Sequence, residues 1–153
     1  MTSDTSVDDL RDRLARFEDE RAIAAILYRY GDALDYGDRD QFLDCFTADA
    51  HYEVDMRLDP SSKFAFDGHA ELTGYFDGHS HAPGAYHKHI TTNPLITLNG
   101  DAADVQSYFL RVDSSDAQGP GVVLGAGRYI DSFQRGDDGK WRIRTRRCEV
   151  ENL

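Results

Sequence analysis

The chain has 153 residues, 40% hydrophobic and 29% charged, with a formal net charge of −11. That length suits one domain with a real core, and a single domain over residues 1–153 is expected. The acidic balance repels phosphate backbones and no Lys/Arg run counters it, so nucleic acid is excluded as an expected partner.

No window approaches the roughly 20 apolar residues of a membrane span, and the polar Met1–Asp8 stretch lacks a secretory apolar run. A cytoplasmic protein with no membrane partner is therefore expected. Cys45 and Cys148 read as buried free thiols, since no CxxC or zinc-ligand spacing accompanies them.

Ser6, followed by Asp8 and Asp9, suits a helix start, after which Leu10, Leu14 and Phe17 recur at helical spacing. A second, stronger helical stripe follows in Ile23, Ile26, Leu27, Tyr30 and Leu34, with Arg21, Arg29 and Asp32 on the opposite side. Gly37 ends that helix, and Asp38 caps a short one over 39–46 that buries Phe42, Leu43 and Phe46. Thr47 to Ala50 reads as a turn, His51 to Met56 as a strand, and Phe64 to Phe66 as a short extended piece beyond a Pro/Ser-containing loop. A helix from Asp67-Gly68 carries Leu72, Tyr75 and Phe76, and a glycine-containing loop runs from Gly78 to Gly84. Four long strands are then predicted over 86–98, 103–113, 121–133 and 140–150, with turns at 99–101, 114–120 and 136–139.

Helices first and an antiparallel meander after them mean α+β. Gly125 and Gly127 suit a bulge or bend, and a strongly curved sheet closed by the N-terminal helices forms a cone-shaped barrel with a cavity inside.

Helical periodicity puts Asp35 at the border of the buried stripe, near a helix C-terminus where a carboxylate is disfavoured and needs a compensating partner. His87 and His89 share one strand face with Thr91 and Asn93, while Val105, Ser107 and Phe109 lie opposite Gln106, Tyr108 and Leu110 on the next strand. His79-x-His81 and His87-x-His89 each place two imidazoles on one side of an extended segment, but too few ligands accompany either pair, so no metal is expected. His51 and His69 read as surface or strand residues. Serine-nucleophile elbows, phosphate loops and dinucleotide fingerprints are absent. What remains is general acid–base chemistry in an aromatic-lined pocket, with Tyr52, Phe76, Tyr108, Phe109 and Tyr129 as candidate substrate-binding residues.

Several segments carry a resemblance. Arg21-Ala-Ile-Ala-Ala-Ile runs through to Tyr30 and Asp35. Asp38-x-x-x-Phe42-x-x-x-Phe46-x-x-Asp49-Ala50 and Gly68-x-x-x-Leu72 follow, then His89-Ile-Thr-Thr-Asn93 and Asp138-Gly-Lys-Trp141-Arg-Ile. Across nearly its whole length the chain resembles the SnoaL-like branch of the nuclear-transport-factor-two-like (NTF2-like), cystatin-like superfamily. Within that branch it looks most like the group of scytalone dehydratase, bile-acid 7α-dehydratase and lindane dehydrochlorinase. The resemblance implies that Asp35 and His89 are catalytic, with Tyr30 at the position of a functional tyrosine of the bile-acid enzyme. The scytalone enzyme has a tyrosine where this chain has Leu34, a histidine near Tyr108 and an asparagine near Tyr129, so its substrate does not carry over.

The implied activity is a cofactor-independent, dehydratase-like lyase. In it His89, oriented by Asp35, takes a proton from a cyclic, mostly apolar molecule while Tyr30 or Tyr108 assists a developing enolate or leaving hydroxyl. Alternatives are an isomerase or polyketide-type cyclase with the same dyad, and a non-catalytic ligand-binding module or dioxygenase small subunit. The resemblance also implies a homo-oligomer, a trimer or dimer.

Overall fold

A computed structural model describes residues 6–59, 61–114 and 119–151; Met1–Thr5, Pro60, Ser115 to Gln118 and the last two residues, with the part of the expected 114–120 turn that falls on them, lie outside. The two expected N-terminal helices are one, α1 (Val7–Tyr36). The Ser6 hydroxyl accepts the Asp9 amide at 3.1 Å to cap it, and Gly37 closes it with φ +79°, a conformation open to glycine. Its first half leaves Leu10, Leu14 and Phe17 exposed, whereas Ile23, Ile26, Leu27, Tyr30 and Leu34 are buried. Asp19 ties its middle to the sheet, accepting Trp141 Nε1 at 3.0 Å and Arg135 Nη2 at 2.6 Å.

Asp38 caps α2 (Arg39–Asp44) through the Gln41 amide. The short helix stops before Phe46, which begins β1 (Phe46–Met56) and not a helical last turn; Thr47 to Ala50 are strand as well. The order continues with β2 (Lys63–Asp67), α3 (Gly68–Asp77), β3 (His87–Asn99), β4 (Ala102–Ser114), β5 (Gly121–Arg135) and β6 (Trp141–Val150). The six strands form one sheet ordered β2-β1-β6-β5-β4-β3. The meander β3 to β6 is antiparallel and β1 joins β6 in parallel, so the sheet is mixed.

This sheet is open, not a closed barrel, and β2 and β3 are its two edges. It curls nonetheless, because Phe66 of β2 and His89 of β3 line one cavity. A bulge puts Leu124 outside the β4–β5 register, beside Gly125. Gly127 lies where a Cβ would collide with the Glu149 carbonyl and come within 2.9 Å of Phe109. The core between helices and sheet is aromatic: Tyr30 packs on Phe42, Phe46, Tyr52 and Tyr129 at centroid distances of 5.6–6.4 Å. No helix among the described residues is long and apolar enough to cross a membrane.

The contact that positions the site is α1 against the edge strand β3. At Gly31 a Cβ would stand 2.6 Å from the His89 carbonyl oxygen, so the missing side chain lets the helix lie on the strand backbone. In an exposed helix Gly→Ala stabilises, by about 0.5–1 kcal/mol. Gly31→Ala is expected to do the reverse, lowering stability by about 1–3 kcal/mol through forced separation of helix and strand. Urea denaturation of the two proteins measures the sign.

Candidate active site

An edge strand leaves alternate backbone N–H and C=O groups without a neighbour. On β3, where His89 pairs with Arg111 of β4, the His89 N–H is such a group, and a side chain of α1 satisfies it. Asp35 Oδ2 accepts the His89 amide at 2.9 Å while Oδ1 meets His89 Nδ1 at 2.6 Å. One carboxylate thus holds both backbone and ring of a single residue. Asp35 lies one turn beyond Gly31, which is what brings it within reach. It is 3% exposed, deeper than the border position periodicity predicts, and Asp32 points to solvent as expected. Burial raises the Asp35 pKa, but the two hydrogen bonds from His89 and the nearby charges of His89 and His87 outweigh this and leave it below the ordinary carboxylate value. An ionised Asp35 requires Nδ1–H on His89 and leaves Nε2 as the ring's basic atom.

The His89 side chain is 8% exposed and lines a cavity of about 810 Å³. Val54, Met56, Phe64, Phe66, Leu124 and Val150 give that cavity an apolar wall. Its polar groups are few. Tyr30 Oη lies 3.0 Å from Tyr52 Oη, which lies 3.3 Å from Tyr75 Oη. Three hydroxyls sharing two hydrogen bonds leave one O–H to offer a ligand oxygen. Burial raises the pKa of all three phenols, keeping them protonated donors. Cys148 also lines the cavity; it and Cys45 are free, and burial pushes both thiols up to about 12, far from a nucleophilic thiolate at neutral pH.

Of the residues singled out from sequence, the structure brings Asp35, His89, Tyr30, Tyr52, Phe109 and Tyr129 together at or behind the cavity wall. Tyr108 is not among them. It is 53% exposed on the opposite face of β4, as strand alternation with Phe109 requires, so it has no reach to His89 chemistry. Phe76 is buried against Phe42 and His81 and does not line the cavity. His79 and His81 do not share a side: His79 lines the cavity, whereas His81 Nδ1 donates to the Leu34 carbonyl at 2.6 Å and its ring stacks on Phe76. His51 pairs with Asp67 and His69 with the Phe46 carbonyl, both away from the cavity.

Sequence reasoning missed the cavity residues Tyr75, His79 and Arg111, and the support beneath them. Arg146 is fully buried, bound by Asp131 at 2.9 and 2.7 Å, with its guanidinium 4.3 Å from the Tyr30 ring centre and 4.0 Å from that of Tyr129. Burial opposes its charge, yet the facing carboxylate holds its pKa well above the ordinary value. Asp131 and Arg146 are direct cross-strand partners, a pairing that a known register would have revealed.

His87 is the remaining neighbour. Its Nε2 lies 3.5 Å from Asp35 Oδ1, and neither ring nitrogen makes a hydrogen bond. Burial, together with the charge of His89, lowers its pKa, so the neutral ring is favoured. Asp35, His87 and His89 place ligand-type atoms within 4.8 Å of one another. The 2.6 Å Asp35–His89 contact is a hydrogen-bond length, shorter than the roughly 3.3 Å edge of a tetrahedral site with 2.0–2.1 Å bonds. The arrangement is a hydrogen-bonded Asp35–His89 pair with the His87 ring beside it.

Comparison with known proteins places this geometry. The sequence profile of the SnoaL-like domain matches residues 15–147. No curated protein matches the chain. Among solved structures, a variant of Rv3472, a protein of unknown function from Mycobacterium tuberculosis, is 29% identical with TM-score 0.77, over 91% of this chain and 75% of that one. An NTF2-like protein with a cystatin-like fold from Novosphingobium aromaticivorans is 21% identical with TM-score 0.82, over 97% and 92%. A protein from the same organism provisionally assigned as a scytalone dehydratase is 21% identical with TM-score 0.68, over 90% and 86%. The chain belongs to the SnoaL-like domain family, and it shares its fold with the NTF2-like, cystatin-like protein from Novosphingobium aromaticivorans.

Proposed function

We propose that the protein is a cofactor-independent lyase of the dehydratase type, acting on a cyclic, mostly apolar small molecule. The observation that carries this reading is the Asp35 carboxylate holding both the amide and Nδ1 of His89 at the wall of an aromatic cavity. Nε2 of His89 removes an acidic proton beside a carbonyl, and Asp35 fixes the tautomer and stabilises the imidazolium that forms. The Tyr30–Tyr52–Tyr75 hydroxyl chain supplies a hydrogen bond to the developing enolate oxygen. Tyr129 and Phe109, stacked with centroids 4.8 Å apart, offer a flat apolar surface for a ring.

The test is turnover of a panel of cyclic β-hydroxy ketones followed by mass spectrometry. Loss of water supports the lyase; product of unchanged mass assigns an isomerase using the same pair. His89→Ala is expected to lower kcat/KM about 10²–10⁴-fold, with Asp35→Asn in the same direction. Asp32→Asn, on the solvent side of α1, is expected to leave it unchanged. Full activity in His89→Ala rejects the reading.

Stability follows pH in a stated sense. His79 and His87 have pKa values held below the ordinary 6.5, chiefly by burial, so the unfolded chain takes up protons first as pH falls. Their contribution is full above about 6.5 and declines below it, and that of Asp35, held below 3.8, follows at lower pH. Urea midpoints measured from pH 8 to 4 are expected to fall below pH 6.5, less steeply in His87→Gln.

A homo-oligomer is also proposed, through the outer sheet face where Ile90, Leu95 and Tyr108 are exposed. Light scattering that returns a monomer mass at micromolar concentration removes it.

A further inference from the structure

His89 and Asp35 account for removal of a proton from carbon, but a departing hydroxide must also gain one. We propose that His79 is the proton donor of this cavity, delivering the Nε2 proton to the oxygen that leaves while His89 takes the proton from carbon. The proposal rests on the reading of His89 as base and adds a second group to it.

His79 follows α3, and its amide donates to the Phe76 carbonyl at 3.0 Å, which fixes its backbone against the helix end. Its Nδ1 lies 3.1 Å from the Tyr75 carbonyl oxygen. A carbonyl only accepts, so Nδ1 carries hydrogen and Nε2 is the atom that gains and loses a proton. Carbonyls at a helix C-terminus also favour a cation there. The ring sits 4.5 Å from that of Tyr75 and 6.3 Å from that of His89, and both imidazoles line the cavity. Two rings with opposite tasks thus border one space from two different elements.

The other groups of the cavity wall do not offer a proton. Burial raises the phenols of Tyr30, Tyr52, Tyr75 and Tyr129, which makes them hydrogen-bond donors that keep their protons. The Cys148 thiol is pushed up to about 12, and the Arg111 guanidinium does not deprotonate. Facing His79 are Tyr75, His89, His87 and Arg111. Burial lowers its pKa, the Tyr75 carbonyl partly restores it, and positive charge on Arg111, or on His89 or His87 when either is protonated, lowers it further. The imidazolium is thereby made a willing acid.

The step balances. Electrons of the C–H bond form the new double bond as the proton passes to His89 Nε2. The C–O pair leaves with oxygen, which takes the His79 proton and departs as water. His89 ends protonated and His79 neutral, and solvent exchange restores both.

The probe is a pair of 1,2-benzisoxazoles, with and without a 5-nitro group, whose ring opening needs a base for the C–H and expels a phenolate oxygen. His89→Ala is expected to lower kcat/KM for both. His79→Phe and His79→Gln are expected to lower it about tenfold more for the unsubstituted compound, whose leaving oxygen is the more basic. The wild-type to His79→Phe ratio for that compound is expected to grow as pH falls below 6.5. A folding defect lowers both compounds alike, so the difference reports proton donation. Equal losses for the two compounds, or no loss, overturn the role of His79 and leave the base intact. Turnover that survives His89→Ala but not His79→Phe makes His79 the base and overturns both assignments. Absence of any His89-dependent opening rejects the proposed function and this role with it.

Discussion

The structure depends on one carboxylate satisfying an edge strand. Asp35 takes the amide that β3 has no neighbouring strand to use and, with its other oxygen, the ring of the same residue. Hydrogen bonds to a charged group contribute about 1.5–3 kcal/mol each, and burying the carboxylate opposes much of that. The net effect on stability is therefore modest, while the effect on geometry is large. The imidazole has one tautomer and one direction, and the helix has one height on the strand. A carboxylate near a helix C-terminus is locally unfavourable, and it persists here because a tertiary contact reverses the local preference.

The cavity is apolar for most of its wall, with polar groups confined to tyrosine hydroxyls and the side chains around His89. Beneath the rings of Tyr30 and Tyr129, the Arg146–Asp131 pair is buried without exposure. A cation under the aromatic faces both fixes those rings and is stabilised by them.

Much of this was legible along the chain. The stripe from Ile23 to Leu34, the Ser6, Gly37 and Asp38 caps, the four long strands and the odd-numbered inward face of β4 all follow from local periodicity and capping chemistry. Asp35 stood out as a carboxylate in a locally unfavourable place, but His89 shared its strand face with His87, Thr91 and Asn93, and the family resemblance was what singled out the pair. The same alternation that turns Phe109 inward turns Tyr108 outward, so the two neighbours cannot both line the cavity. Phe46 passed for helical because its spacing from Phe42 suits a helix, until pairing with β6 drew it into the sheet.

The sequence alone thus determined most of the helices and strands and the inward faces of the best-patterned ones, because 3.6- and 2-residue periods are properties of neighbours in the chain. Only the tertiary structure decided that β1 lies parallel to β6, that Gly31 admits the helix to the His89 backbone, that His79 and not His81 turns into the cavity, and that Arg146 meets Asp131. Those outcomes hang on contacts between residues 15 to 97 positions apart. Distances of that kind are set by how the sheet curls around the helices, and no local period encodes them.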